Sequence, residues 1–317
     1  MRTRRLGSNG PEISLVGFGA WEAGGGSEWG TAKPDERIVE AIHAGIDAGI
    51  TWIDTAEVYG GGRSEELVGR AVRGRRDDVL IFTKVGPAPE GTGFRPEEVH
   101  KACRGSLERL GVEHLDLFQL HWPDSTGVAV EDTWGAMSEL VDQGVVRHIG
   151  VSNFDRDLIE RCEAIRHVDS LQPELSMLQL DNRDLVAWCG EQGIGTIAYG
   201  PLAYGILSGS ITAQTPFEAG DHRAPGGEVY ESLLRPGVGE RTMAVVERVR
   251  AVGDRHGVSV ADVAIAWTLA QPGVTGAIVG STSPEHVRAN AAAGDLPLDA
   301  ATLEELERVV SPGSSAG

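Results

Sequence analysis

The sequence predicts a single-domain (β/α)8 TIM barrel, and three observations carry that prediction. Short β-branched runs alternate with longer segments of helical periodicity nearly to the end of the chain, the rhythm of βα units around a parallel sheet. Eight such runs occur, and 317 residues suit one barrel with a substantial core. Three consecutive runs, TWIDTAEVYG (51 to 60), VLIFTK (79 to 84) and LDLFQLH (115 to 121), end in residues able to take part in proton transfer. In a parallel barrel all strand carboxyl ends open on one mouth, so Asp54, Tyr59, Lys84 and His121 become neighbours despite their separation in sequence.

In chain order the strands are predicted at 14 to 19, 51 to 54, 79 to 84, 115 to 121, 145 to 152, 170 to 174, 195 to 200 and 275 to 280. Helices are expected near 34 to 48, 64 to 73, 95 to 110, 130 to 143, 155 to 165, 183 to 192, 241 to 256, 259 to 270 and 284 to 293. Ser64 before Glu65 and Glu66, Pro96 before Glu97 and Glu98, and Ser283 before Pro284 and Glu285 mark helix starts. Gly111, Gly144 and Gly193 follow helices and suit left-handed caps. The stretch from 208 to 240, after the seventh strand, is rich in Gly and Pro and reads as one long loop, a lid or a substrate wall. The barrel is expected to span 1 to 310, and SPGSSAG (311 to 317) reads as a disordered tail.

Composition narrows the function classes. A formal charge of -19 opposes binding to nucleic acid or to an anionic membrane, although a local basic pocket could still hold a phosphate. Cys103, Cys162 and Cys189 are odd in number, lack CxxC spacing and sit in apolar periodic segments, which suits reduced thiols in a cytoplasm. The basic start, MRTRR, precedes an apolar stretch too short and too broken for a signal peptide or a membrane span.

The strand ends suggest carbonyl reduction. As hydride reaches a carbonyl carbon, an acid must protonate the oxygen. A free Tyr, with a pKa of about 10, is too weak. A lysine beside Tyr59 would lower its pKa, and a carboxylate would hold that lysine in place and keep it charged. Asp54, Tyr59 and Lys84 fit these parts, and a neutral His121 could donate to the substrate oxygen. A metal role for His121 lacks a second ligand at suitable spacing in its strand, so no metal is expected.

Over its whole ordered length the chain resembles the aldo-keto reductases, a resemblance carried by WIDTAEVYG, FTK and QLHWPD (119 to 124). It implies a nicotinamide cofactor, a small carbonyl substrate, and Asp54, Tyr59, Lys84 and His121 as the catalytic tetrad. GVSNF (150 to 154) is similar to the stretch that holds the nicotinamide carboxamide, implying Ser152 and Asn153, with Gln172 of LQPEL as a third partner. AYGPLAYGILSG (198 to 209) resembles the segment whose Tyr stacks beneath the nicotinamide and whose turn wraps the pyrophosphate. That implies Tyr199, Gly200, Pro201, Leu202, Gly205 and Leu207. GSTSPEHVRAN (280 to 290) is similar to the adenosine-binding segment, implying Gly280, Ser281, Thr282, His286 and Asn290.

Two departures stand out. Many relatives place Lys or Arg just after the glycine ending the eighth strand, to pair the 2′-phosphate of NADP, whereas this chain has Ser281, Thr282 and Ser283. NADP(H) is the cofactor implied by resemblance, with NAD(H) the alternative, since hydroxyls and a helix N-terminus can still bind phosphate. His286 and Asn290 share a helical face that Arg288 does not. Leu175 and Ser176 stand where an aromatic often follows the Glu.

GFGAWEAGGG (17 to 26) mimics a Rossmann loop, but no helix opens after it, so it reads as a flexible first βα loop. Trp21 and Trp122 are candidates for an apolar substrate wall, and Trp29 a weaker one. A nicotinamide-binding regulatory or redox-sensing subunit on the same barrel is the rival reading. A glycosidase is disfavoured, because only one carboxylate is well placed.

Overall fold

The chain opens with an antiparallel hairpin absent from the periodicity reading, β1 (Thr3–Arg5) against β2 (Glu12–Ser14), with Arg4 opposite Ile13. Leu15 separates β2 from β3 (Val16–Gly19), so the run predicted at 14 to 19 serves both the hairpin and the barrel. The barrel continues with β4 (Trp52–Asp54), β5 (Leu80–Val85), β6 (Leu115–Leu120), β7 (Val146–Ser152), β8 (Ser170–Gln172), β9 (Gly195–Ala198) and β10 (Val274–Gly280). Neighbours pair in parallel, and β10 closes on β3 from Ala277↔Val16 to Gly280↔Gly19. The computed structural model describes residues 1–25, 33–86, 94–212 and 214–310; Trp29 and the tail at 311–317 lie outside them.

Around the barrel run α1 (Asp35–Asp47), α2 (Arg63–Val72), α3 (Pro96–Leu110), α4 (Val130–Asp142), α5 (Arg156–Glu163), α6 (Arg183–Glu191), α7 (Gly239–His256), α8 (Val260–Ala270), α9 (Pro284–Ala293) and α10 (Ala300–Val310). The last was not predicted. Gly111, Gly144 and Gly193 do adopt φ of 66°, 76° and 75° after their helices. Ser64 does not cap α2. The helix starts one residue earlier, after left-handed Gly62, and the Ser64 hydroxyl donates to Ala20 O at 2.7 Å, tying the first βα loop to the second.

Strand alternation positions the site. Side chains two apart share a face of a strand, so each barrel strand sends alternate residues inward. The lower interior is apolar, with Trp52, Phe82, Leu117, Ile197 and Ile278 in one cluster that Leu6 and Ile13 of the hairpin close from below. Gly17 leaves room for Trp52, since a Cβ there would lie 2.3 Å from the indole. Two residues further along the same faces stand Asp54, Lys84, Gln119 and Tyr199, and His121 follows two beyond Gln119.

The segment from 208 to 240 is more folded than one loop. Ile211, Val229 and Leu233 are buried in a cluster with Val246, Val249 and Trp267, and Tyr230–Leu234 forms a π-helix. Arg223 fastens it by donating from Nε and Nη2 to the Asp221 carboxylate at 2.9 and 2.7 Å and from Nη1 to Tyr204 O at 3.2 Å.

Candidate active site

Lys84 is fully buried, and its ammonium has three acceptors: Asp54 Oδ1 at 2.6 Å, Thr55 O at 2.9 Å and the Tyr59 hydroxyl at 3.2 Å. A buried charge needs such partners. Burial pulls the Lys84 pKa down, but Asp54 and Tyr59 more than offset it and hold the ammonium charged. Burial also raises Tyr59, and Lys84 acts against it without overcoming it. The lysine therefore pulls in the direction expected from sequence, but the net pKa of Tyr59 lies above its ordinary value.

His121 packs edge-on against Tyr59, with ring centroids 5.6 Å apart. Burial and then Lys84 push its pKa well below the usual 6.5, so the imidazole is neutral. Its Nδ1 is buried with no hydrogen-bond partner among the described residues.

The residues matched to the nicotinamide site join this group through hydrogen bonds. Gln172 Nε2 donates to Asp54 Oδ2 at 2.9 Å, an unforeseen link between opposite sides of the barrel. Ser152 Oγ donates to Gln172 O at 2.8 Å, and Asn153 Nδ2 donates to Ser152 Oγ and to His121 O, both at 3.1 Å. The Tyr199 hydroxyl donates to Asn153 Oδ1 at 2.9 Å. Asn153 has φ 60°, and Ala203 and Tyr204 have 45° and 56° in the turn after β9. Left-handed non-glycine residues cost energy and gather at functional sites.

Gly200, Pro201, Leu202, Gly205 and Leu207 form that turn, with Gly200 and Gly205 at φ 69° and 88°. Beside Gly205 lies a cavity of about 410 Å³ whose lining includes Lys33, Ser208, Ser210 and Arg223 together with the carboxylates of Glu218 and Asp221. The hydroxyls and Lys33 suit phosphate oxygens, whereas Arg223 is paired with Asp221. For a carboxamide, Gln172 Oε1 remains as an acceptor with no hydrogen bond among the described residues. These donor and acceptor sets fit a nicotinamide dinucleotide.

Gly280 ends β10, Ser281 and Thr282 follow it, and the Ser283 hydroxyl accepts from His286 N at 3.5 Å as the cap of α9. Asn290 is buried whereas His286 is exposed, so their shared helical face runs from interior to surface. Trp21 lies in a short 3-10 helix, with its ring 6.3 Å from Tyr59, 6.0 Å from Tyr204 and 5.6 Å from His222. Trp122 is 45% exposed and stacks 6.0 Å from His121. Both tryptophans thus flank the Tyr59–His121 pair.

Sequence reasoning missed three residues here. Gln119 is fully buried inside the barrel, with neither amide atom hydrogen-bonded among the described residues, and its place two before His121 was a usable signal. Glu22 and Arg37 approach Thr282 from the first loop and from α1. Periodicity gives no signal for either.

Comparison with known proteins identifies the family. The profile of the aldo/keto reductase family matches residues 15–311. Aldo-keto reductase YhdN of Bacillus subtilis is 34% identical over 296 residues, covering 91% of this chain and 87% of that protein. The structure of the glycerol dehydrogenase AKR11B4 from Gluconobacter oxydans superposes with a TM-score of 0.84 at 28% identity, covering 99% of this chain and 96% of that one. An aldo-keto reductase from Klebsiella pneumoniae, solved in complex with NADPH, gives a TM-score of 0.75 at 30% identity over 99% and 97% of the two chains. The chain is an oxidoreductase and belongs to the aldo/keto reductase family.

Proposed function

We propose that the protein reduces a small aldehyde or ketone to an alcohol, with Tyr59 as the general acid. The observation that carries this reading is the Lys84 ammonium shared between Asp54 and the Tyr59 hydroxyl, beside a neutral His121. A bound nicotinamide would supply the hydride. Tyr59 passes its hydroxyl proton to the carbonyl oxygen, and Lys84 stabilises the phenolate left behind. Asp54 keeps Lys84 charged, and Gln172 fixes the second oxygen of that carboxylate. His121 donates to the carbonyl oxygen and orients it, as a preorganised donor does at a developing oxyanion.

Ser152, Asn153 and Gln172 would hold the carboxamide, and Tyr199 would lie against the nicotinamide ring. The turn at Gly200, Pro201, Leu202, Gly205 and Leu207 would follow the pyrophosphate, with Gly280, Ser281, Thr282, His286 and Asn290 around the adenosine. Trp21 and Trp122 would wall the substrate, an arrangement that suits a compact, partly apolar carbonyl compound. NADPH is the first reductant to test, since the Klebsiella pneumoniae neighbour was solved with it.

The test is oxidation of NADPH and NADH followed at steady state with a panel of aldehydes and ketones. Tyr59→Phe should lose at least about a hundredfold in kcat, the contribution typical of a general acid, and still bind the cofactor. A wild-type rate in Tyr59→Phe would overturn the assignment.

A further inference from the structure

The strand-end segment Ser281, Thr282 and Ser283 lacks the positive charge that a 2′-phosphate needs, and the fold brings one there from another element. Arg37, in the first turn of α1, donates from Nε to the Thr282 carbonyl oxygen at 3.0 Å. Its position is well anchored. The carboxylate of Asp35, two residues earlier, accepts from Arg63 at 2.5 Å and from Arg70 at 3.1 Å, which fixes the start of α1. Further along, α1 lies tightly on α9, where a Cβ on Gly45 would come within 3.2 Å of Val287.

Among the described residues Arg37 makes no ion pair, and neither of its Nη groups has a hydrogen bond. A guanidinium is a planar fork. With Nε tied to Thr282, both Nη groups are left for an anion resting against the hydroxyls of residues 281 to 283. The charges around this peptide are mixed. The Glu22 carboxylate faces the Thr282 N–H, with Arg223, Lys33 and His286 also near it. Arg223 is already committed to Asp221.

We propose that Arg37 is the coenzyme-selecting residue of this protein: anchored on the Thr282 carbonyl, its guanidinium pairs the 2′-phosphate and so favours NADPH over NADH. This rests on the nicotinamide-dependent reading given above. The ribose hydroxyl of NADH offers no anion at that point, so its affinity does not depend on Arg37.

Fluorescence titration of wild type, Arg37→Gln and Arg37→Lys with NADPH and with NADH separately tests the proposal. Arg37 is exposed, so the variants should keep the wild-type unfolding midpoint. Arg37→Gln should weaken NADPH by about tenfold or more while leaving NADH within about twofold, as expected for loss of a hydrogen-bonded charge. Arg37→Lys should fall between, since it keeps the charge and loses the fork. Unchanged NADPH affinity in Arg37→Gln, or an equal loss for both coenzymes, overturns the proposal and leaves the reductase reading intact. A wild-type protein that binds neither coenzyme overturns both.

Discussion

The Lys84–Asp54 pair lies wholly inside the protein, with side-chain exposures of 0% and 4%, so each charge depends on the other. A buried pair is weak evidence for stability, but removing one partner strands the other. Lys84→Met should therefore cost about 3–5 kcal/mol, measured by urea unfolding. The double variant Asp54→Asn/Lys84→Met should recover much of that loss and remain inactive. An equal loss in both variants would mean that the damage comes from packing. At this scale the meeting of Asp54, Tyr59, Lys84 and His121 was legible, because Asp54, Lys84 and His121 stand at or beside strand tips and Tyr59 follows in the turn after β4. The bond from Gln172 to Asp54 was not, since it depends on which way an amide points across the barrel.

Elements were legible where periodicity was long. The barrel strands emerged because their apolar runs are buried on both faces, and α8 emerged near its observed bounds, although its Ser259 cap with Asp262 as partner went unread. The hairpin escaped because three-residue strands show no usable alternation, and its inward residues are just Leu6 and Ile13. The Ser64 cap failed for another reason. A hydroxyl before two glutamates is a cap by pattern, but the left-handed run Gly60, Gly61 and Gly62 turns the chain into the helix earlier and frees Ser64 to bind Ala20. The hairpin has a testable consequence. Leu6 is fully buried against the lower interior, so Leu6→Ala should lower stability by about 2–5 kcal/mol. It lies at the end away from Tyr59, so kcat should stay within about twofold, because distant independent sites seldom couple. A large fall in kcat with unchanged stability would contradict that separation.

Across the whole molecule, the groups read as the cofactor site are distributed from Ser152 in β7 to Asn290 in α9, and no single element holds them. Barrel closure brings β10 beside β3, so residues from the two ends of the chain meet at Thr282. The sequence made the barrel legible but not this meeting, because loop conformations decide which side chains reach across. A ligand spanning so many elements should stabilise the fold as a unit, by an amount set by its concentration over its dissociation constant. At one hundred times that constant, NADPH should raise the unfolding free energy by about 2.7 kcal/mol. The gain should persist in Tyr59→Phe, since the proposed role of its hydroxyl is proton transfer. The denaturant slope should not change, because the surface exposed on unfolding is the same. A stabilisation that vanished in Tyr59→Phe would mean that the hydroxyl contributes to binding, and the proton-transfer role would then need to be separated from it by single-turnover kinetics.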